Sequence, residues 1–167
     1  LLANIMPQHP FSSVKGEFRT ISIESKALEG NLLGDPTTRE VQVYLSPGWE
    51  QKDLPLFVDM VGFTGSGKAH SNWKPFQESL PQRIDRLIAE GAMGPVALAL
   101  PDCFTSLGGN QYINSPIMGN WGTWLSQDLQ QILSQRYQIT AFGLVGKSSG
   151  GYGSIVRGML DDCWGAV

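Results

Sequence analysis

Residues Gly146-Lys147-Ser148-Ser149-Gly150 read G-x-S-x-G. A serine hydroxyl is a weak nucleophile until a base takes its proton. Glycines two positions either side suit a turn so tight that side chains there would clash. Such a turn, set between a strand and a helix, holds the serine Oγ exposed at its tip. The chemistry it offers is attack on a carbonyl carbon with a transient acyl-serine. The flanks have the required character. Phe142 to Val145 is an apolar strand, and Gly151 to Leu160 reads as a helix. Gly151 and Gly153 would let that helix lie close to the sheet, with Ile155, Val156, Met159 and Leu160 available for burial.

A second reading competes for the same residues. Gly62-Phe63-Thr64-Gly65-Ser66-Gly67-Lys68 resembles a phosphate-binding loop, and Ala141 to Ser148 is a looser match ending in Gly-Lys-Ser. Both have physical faults. Ala69 stands where a magnesium-binding hydroxyl belongs, and His70, Ser71, Asn72 and Pro75 make a poor helix start. In the looser match, Phe142 to Val145 must be strand and cannot cradle phosphate. Val96 to Leu100 followed by Asp102 imitates a magnesium-binding strand, but Pro101 interrupts it. Nucleotide binding is therefore the weaker reading. Metal chemistry has little support either. Cys103 and Cys163 stand sixty residues apart, and the histidines are His9 and His70. A zinc site needs about four suitably spaced ligands. No metal or other cofactor is expected, and the cysteines read as reduced, partly buried thiols.

The elements that must position Ser148 follow from periodicity. Thr20 to Ser25 and Arg39 to Ser46 alternate, as half-buried strands do, with a turn at Gly34, Asp35 and Pro36 between them. Leu56 to Val61 and Pro95 to Leu100 are mostly apolar runs, as buried parallel strands are. Ile84, Leu87 and Ile88 have helical spacing, ended at Gly91. Trp121, Trp124, Leu125, Leu129, Ile132 and Leu133 form the stripe of a helix running to about Tyr137. Ile139 to Val145 is the strand that leads to the serine, and Trp164 to Val167 opens as another. Residues 1–17 form an irregular arm, and 18–167 a single domain. The order is a β-hairpin, then alternating strands and helices. It predicts an α/β architecture with a mostly parallel sheet and helices on both faces, a three-layer sandwich. Pro101 to Asn120 is a long Gly-, Asn- and Ser-rich connection following a strand C-terminus, the place where open α/β sheets bind ligands.

Composition narrows the class. The 167 residues carry 12 Lys and Arg against 15 Asp and Glu, a net charge of −3. A nucleic-acid binder shows a basic excess or stripe, and neither is present. Apolar runs reach about five residues, against the roughly 20 of a membrane span. No leader pattern opens the sequence, which tips the expected compartment slightly towards the cytoplasm. Oligomeric state is left open.

Several stretches together resemble the esterase D group of α/β-hydrolases. That group includes S-formylglutathione hydrolase, enterochelin esterases, feruloyl esterase modules and mycolyl transferases. The stretches are Arg39 to Trp49 (REVQVYLSPGW), Val61 to Gly65 (VGFTG), Leu100 to Asn114 (LPDCFTSLGGNQYIN), Gly146 to Gly153 (GKSSGGYG) and Trp164 to Val167 (WGAV). They occur in family order from about residue 18. The resemblance implies a serine hydrolase acting on small-molecule acyl esters, with Ser148 as nucleophile. Gly62 would turn the backbone in beside it, and Phe63 and Ser149 would supply two oxyanion N–H groups. Gly146, Gly150 and Gly151 are the glycines of the turn. The loop with Tyr112, Asn114 and Trp121 would border the substrate pocket. Lys147 departs from the group, whose members often carry His there, and reads as a solvated side chain.

One part of the machinery is missing from the pattern. In this fold the partners follow the nucleophile in the order Ser, acid, His. Nineteen residues follow Ser148 and none is histidine, while Asp161 and Asp162 come too early. The expectation is a C-terminally truncated domain whose acid and base lie beyond Val167. The alternatives are an acyl transferase with the same nucleophile and a non-catalytic binding protein of the same fold.

Overall fold

A computed structural model describes residues 11–51 and 53–167. The first ten positions of the expected N-terminal arm, with His9, lie outside them. The sheet is built from β1 (Glu17–Glu24), β2 (Thr38–Leu45), β3 (Leu54–Met60), β4 (Ala97–Pro101) and β7 (Ile139–Gly146), with a two-stranded ladder of β5 (Asn114–Ser115) and β6 (Gly119–Asn120) apart from it. Spatial order is β1-β2-β4-β3-β7. The β1–β2 and β2–β4 pairs are antiparallel, and β4–β3 and β3–β7 are parallel. The sheet is thus mixed, an antiparallel hairpin feeding a parallel half.

Alternation along these strands sorts two cores. Val41, Val43, Leu45, Leu56, Val58, Met60, Ala97 and Ala99 face one side, with Trp121, Trp124, Leu125, Leu129 and Leu133 laid over them. Tyr44, Leu98 and Leu100 face the other, against Ile84 of α1 (Leu80–Ala89). Two layers of helix thus enclose the sheet, as in the three-layer expectation. α1 starts where its residues dictate. The Ser79 hydroxyl accepts the Gln82 N–H and the Gln82 side chain accepts the Ser79 N–H, a reciprocal cap with Pro81 in the first turn. It ends at Gly91, whose φ of 70° suits the left-handed close of a helix. Buried Asp85 on α1 accepts from the Tyr44 hydroxyl and, at 2.6 Å, from the Lys15 N–H, tying the chain before β1 to this layer.

The helix read from Trp121 is continuous but not uniform. α2 (Trp121–Thr123) and α3 (Gln130–Arg136) flank a π-helical stretch, Trp124–Leu129, that keeps Trp124, Leu125 and Leu129 buried. The last helix, α4 (Ser149–Leu160), corrects an expectation. Its buried residues are Ser149, Gly150, Gly153, Ser154 and Arg157, while Ile155, Met159 and Leu160 are exposed and Val156 is half-buried. The helix meets the sheet along its smallest side chains, so its apolar residues have turned outward. Trp164 to Val167 makes a single parallel bridge, Ala166 to Gly143, instead of a strand. The long connection after β4 also carries more order than its composition implies, through the β5–β6 ladder and a Thr105–Gly108 bridge. Cys103 is buried and Cys163 exposed, and both are free thiols.

Candidate active site

The parallel half of the sheet sends the ends of β3, β4 and β7 to one edge, with Met60 level with Gly146. Three segments emerge there: the loop after Met60, the long connection after Pro101, and the turn Lys147-Ser148. Ser148 has φ 59° and ψ −122°, backbone that non-glycine residues avoid. It links β7 directly to α4 and is exposed. The spacing of the glycines is explained by what surrounds them. A Cβ at Gly150 would collide with the Met60 carbonyl, and one at Gly146 would collide with the backbone of Gly150. Gly151 is less constrained, since a Cβ there would sit 3.4 Å from the Gly146 oxygen.

The loop after β3 comes up against the serine. A Cβ on Gly62 would lie 3.5 Å from the Ser148 Cβ and 3.9 Å from its Oγ. Phe63 follows, half exposed, its carbonyl accepting the Gly109 N–H at 2.6 Å. Ser149 is buried at the start of α4, in the first turn whose N–H groups have no intrahelical acceptor. Beside Phe63 lies a cavity of about 160 Å³, lined among others by Asn110, Ile113, Met118 and Trp121. Of the loop residues singled out in the sequence, Trp121 lines that cavity. Asn114 instead exchanges hydrogen bonds with Thr123, its Nδ2 donating to Oγ1 at 3.0 Å and its Oδ1 accepting the Thr123 N–H at 2.9 Å. Tyr112 is buried, with its hydroxyl donating to the Val61 carbonyl at 2.6 Å.

The sequence did not announce Asp59. Position 59 alternates onto the α1 side of β3, and the side chain is almost fully buried with His70 Nδ1 2.6 Å from Oδ2. The run Leu-Phe-Val-Asp-Met could have flagged it, as a charge inside a buried strand needs a partner. His70 closes a short 3₁₀ turn, Gly67–His70, where a phosphate loop would have launched an α-helix. Together with Gly146, Lys147, Arg83 and Glu78 it lines a separate cavity of about 330 Å³ on the α1 side, whose lining does not include Ser148. Among the described residues no cluster of three or more His, Cys, Asp or Glu could hold a metal ion, and no helix is long and apolar enough to cross a membrane.

The chain has the α/β-hydrolase fold. No family model and no curated protein matches it. Solved structures do. A ferulic acid esterase superposes with a TM-score of 0.73 at 19% identity, over 91% of this chain and 58% of its own. The S-formylglutathione hydrolase of Agrobacterium tumefaciens gives 0.65 at 13%, over 90% and 55%. The enterobactin esterase of Shigella flexneri gives 0.68 at 16%, over 96% and 39%. The chain therefore spans a little over half the length of the first two, and its structural neighbours are the kinds of esterase that its motifs resemble.

Proposed function

We propose that the protein is a serine hydrolase of carboxylic esters. The observation that carries this reading is Ser148 itself, held at φ 59° on the β7–α4 turn with Gly62 against it. Its Oγ attacks the ester carbonyl carbon while its proton passes to a base. The carbonyl oxygen, now an oxyanion, accepts from the Phe63 and Ser149 N–H groups. The intermediate collapses to an acyl-serine as the alcohol leaves with the proton. Water then repeats the sequence, releasing the acid and restoring the serine. Donors aimed at the developing oxyanion contribute strongly to such reactions, and losing one costs about 10²–10³ in rate. The apolar cavity beside Phe63 suits the acyl group.

In this reading the base is a histidine other than His70, which pairs with Asp59 and lines the α1-side cavity whose lining does not include Ser148. A fluorophosphonate probe tests the assignment. The full-length protein is expected to be labelled, and Ser148→Ala to abolish the label. Labelling that survives in Ser148→Ala refutes it. Residues 1–167 alone are expected to hydrolyse p-nitrophenyl acetate barely above background.

A further inference from the structure

Two non-glycine residues among those described have positive φ, and the second is Tyr112, at 58°. Such backbone is strained and persists only where the surroundings over-determine it. At Tyr112 they do. Its N–H donates to Asn110 Oδ1 at 2.5 Å, and Asn110 Nδ2 donates to the Cys103 carbonyl at 2.7 Å. The result is a ring almost fully buried and a hydroxyl delivered to the Val61 carbonyl. Burial pushes that hydroxyl well above the ordinary tyrosine range, so it remains a donor at any working pH.

What the ring and hydroxyl touch is informative. Val61 directly precedes Gly62 and Phe63, and it is itself buried. The ring lies on α4, where a Cβ at Gly153 would come within 2.6 Å of the Tyr112 Cδ2. One side chain therefore contacts both segments that carry the two N–H groups of the proposed oxyanion hole. The same loop also reaches Phe63 through the Gly109 N–H.

We infer that Tyr112 is a positioning residue for the oxyanion hole, fixing the Val61–Gly62 peptide relative to α4. This rests on the assignment of Ser148 as nucleophile. The hydroxyl is committed to Val61, so its contribution is to orientation and not to substrate contact. Without it, the Val61 carbonyl has lost its buried donor and the Phe63 N–H is free to drift from the line of the oxyanion. A misplacement of about 1 Å at a reacting centre costs on the order of 10²-fold.

The test is Tyr112→Phe in the full-length protein, which keeps the ring and removes only the hydroxyl. Turnover of p-nitrophenyl acetate is measured per active site, counted by fluorophosphonate labelling taken to completion, so that unfolded molecules drop out of the count. The expected result is a kcat lowered roughly tenfold to a hundredfold, with KM within about twofold of wild type. An unchanged kcat per labelled site overturns the inference, as does a raised KM with kcat intact, the mark of a substrate contact. Failure of the underlying reading looks different, with wild-type protein showing no label that depends on Ser148.

Discussion

Replacing Ser148 by glycine should make the protein more stable than replacing it by alanine, although on the proposed reading both abolish activity. Ser148 sits at φ 59° and ψ −122°, a region open essentially to glycine alone. Alanine inherits the strain, worth about 1–3 kcal/mol, and glycine relieves it. Against this, glycine loses more backbone freedom on folding, about 0.5–1 kcal/mol. The net advantage of glycine over alanine is therefore roughly 0–2.5 kcal/mol, centred on about 1 kcal/mol. The hydroxyl makes no capping bond to α4, so its loss in both variants should matter little to folding. For a chain of this size 1 kcal/mol moves Tm by about 2–4 °C, so Ser148→Gly should melt about 3–5 °C above Ser148→Ala, and at most about 10 °C above it. Thermal unfolding followed by circular dichroism, with urea midpoints as a check, reads the difference directly. A Ser148→Gly protein less stable than Ser148→Ala, by the roughly 0.5–1 kcal/mol that glycine costs unstrained backbone, would show that the turn is not strained and would remove the main physical ground for the nucleophile.

Three other outcomes follow from the same geometry. Gly150→Ala drives a methyl into the Met60 carbonyl and should leave the protein largely insoluble, or cost more than about 3 kcal/mol by denaturant titration, whereas Gly151→Ala should be mild. In native protein, Ellman's reagent should modify exposed Cys163 and spare Cys103, whose thiol burial pushes far above the ordinary range; Cys103 should react only on unfolding. The Arg86 guanidinium holds the Glu78 carboxyl below the usual glutamate range, so the stability it lends is present at neutral pH and is lost as pH falls through that lowered value. NMR titration should show the Glu78 midpoint rising in Arg86→Gln.

The sheet was legible because its strands alternate or run apolar without ambiguity, and α1 because Ser79, Gln82 and Gly91 mark both its ends. Ser148 was legible because glycine spacing is itself a steric record of a tight turn. The buried face of α4 was not. Periodicity assumes that large apolar residues point inward, and here close approach to β3 and β7 demands Gly150, Gly153 and Ser154 instead. Asp59 was hidden because its partner His70 is eleven positions away in a loop whose path no periodicity fixes. Tyr112 could be placed in the right loop but not given its hydrogen bond. The turn that buries it depends on Asn110 reaching both the Tyr112 N–H and the Cys103 carbonyl.

Ser148 occupies the N-cap position of α4, yet its side chain does not cap. A serine there ordinarily spends its hydroxyl on the first-turn N–H groups, a contribution of about 1 kcal/mol. Turned aside by its own backbone, it caps none of them; the Lys147 carbonyl takes the Gly150 N–H, and the rest of the positive end of a twelve-residue helix, equivalent to roughly half an elementary charge, has no side-chain counterweight in its first turn. On the proposed reading, the tetrahedral oxyanion is that counterweight. The helix is completed for the lifetime of the intermediate and opened again when product leaves, so an anionic mimic of that intermediate should bind with the helix macrodipole in its favour while the neutral ester gains far less from it.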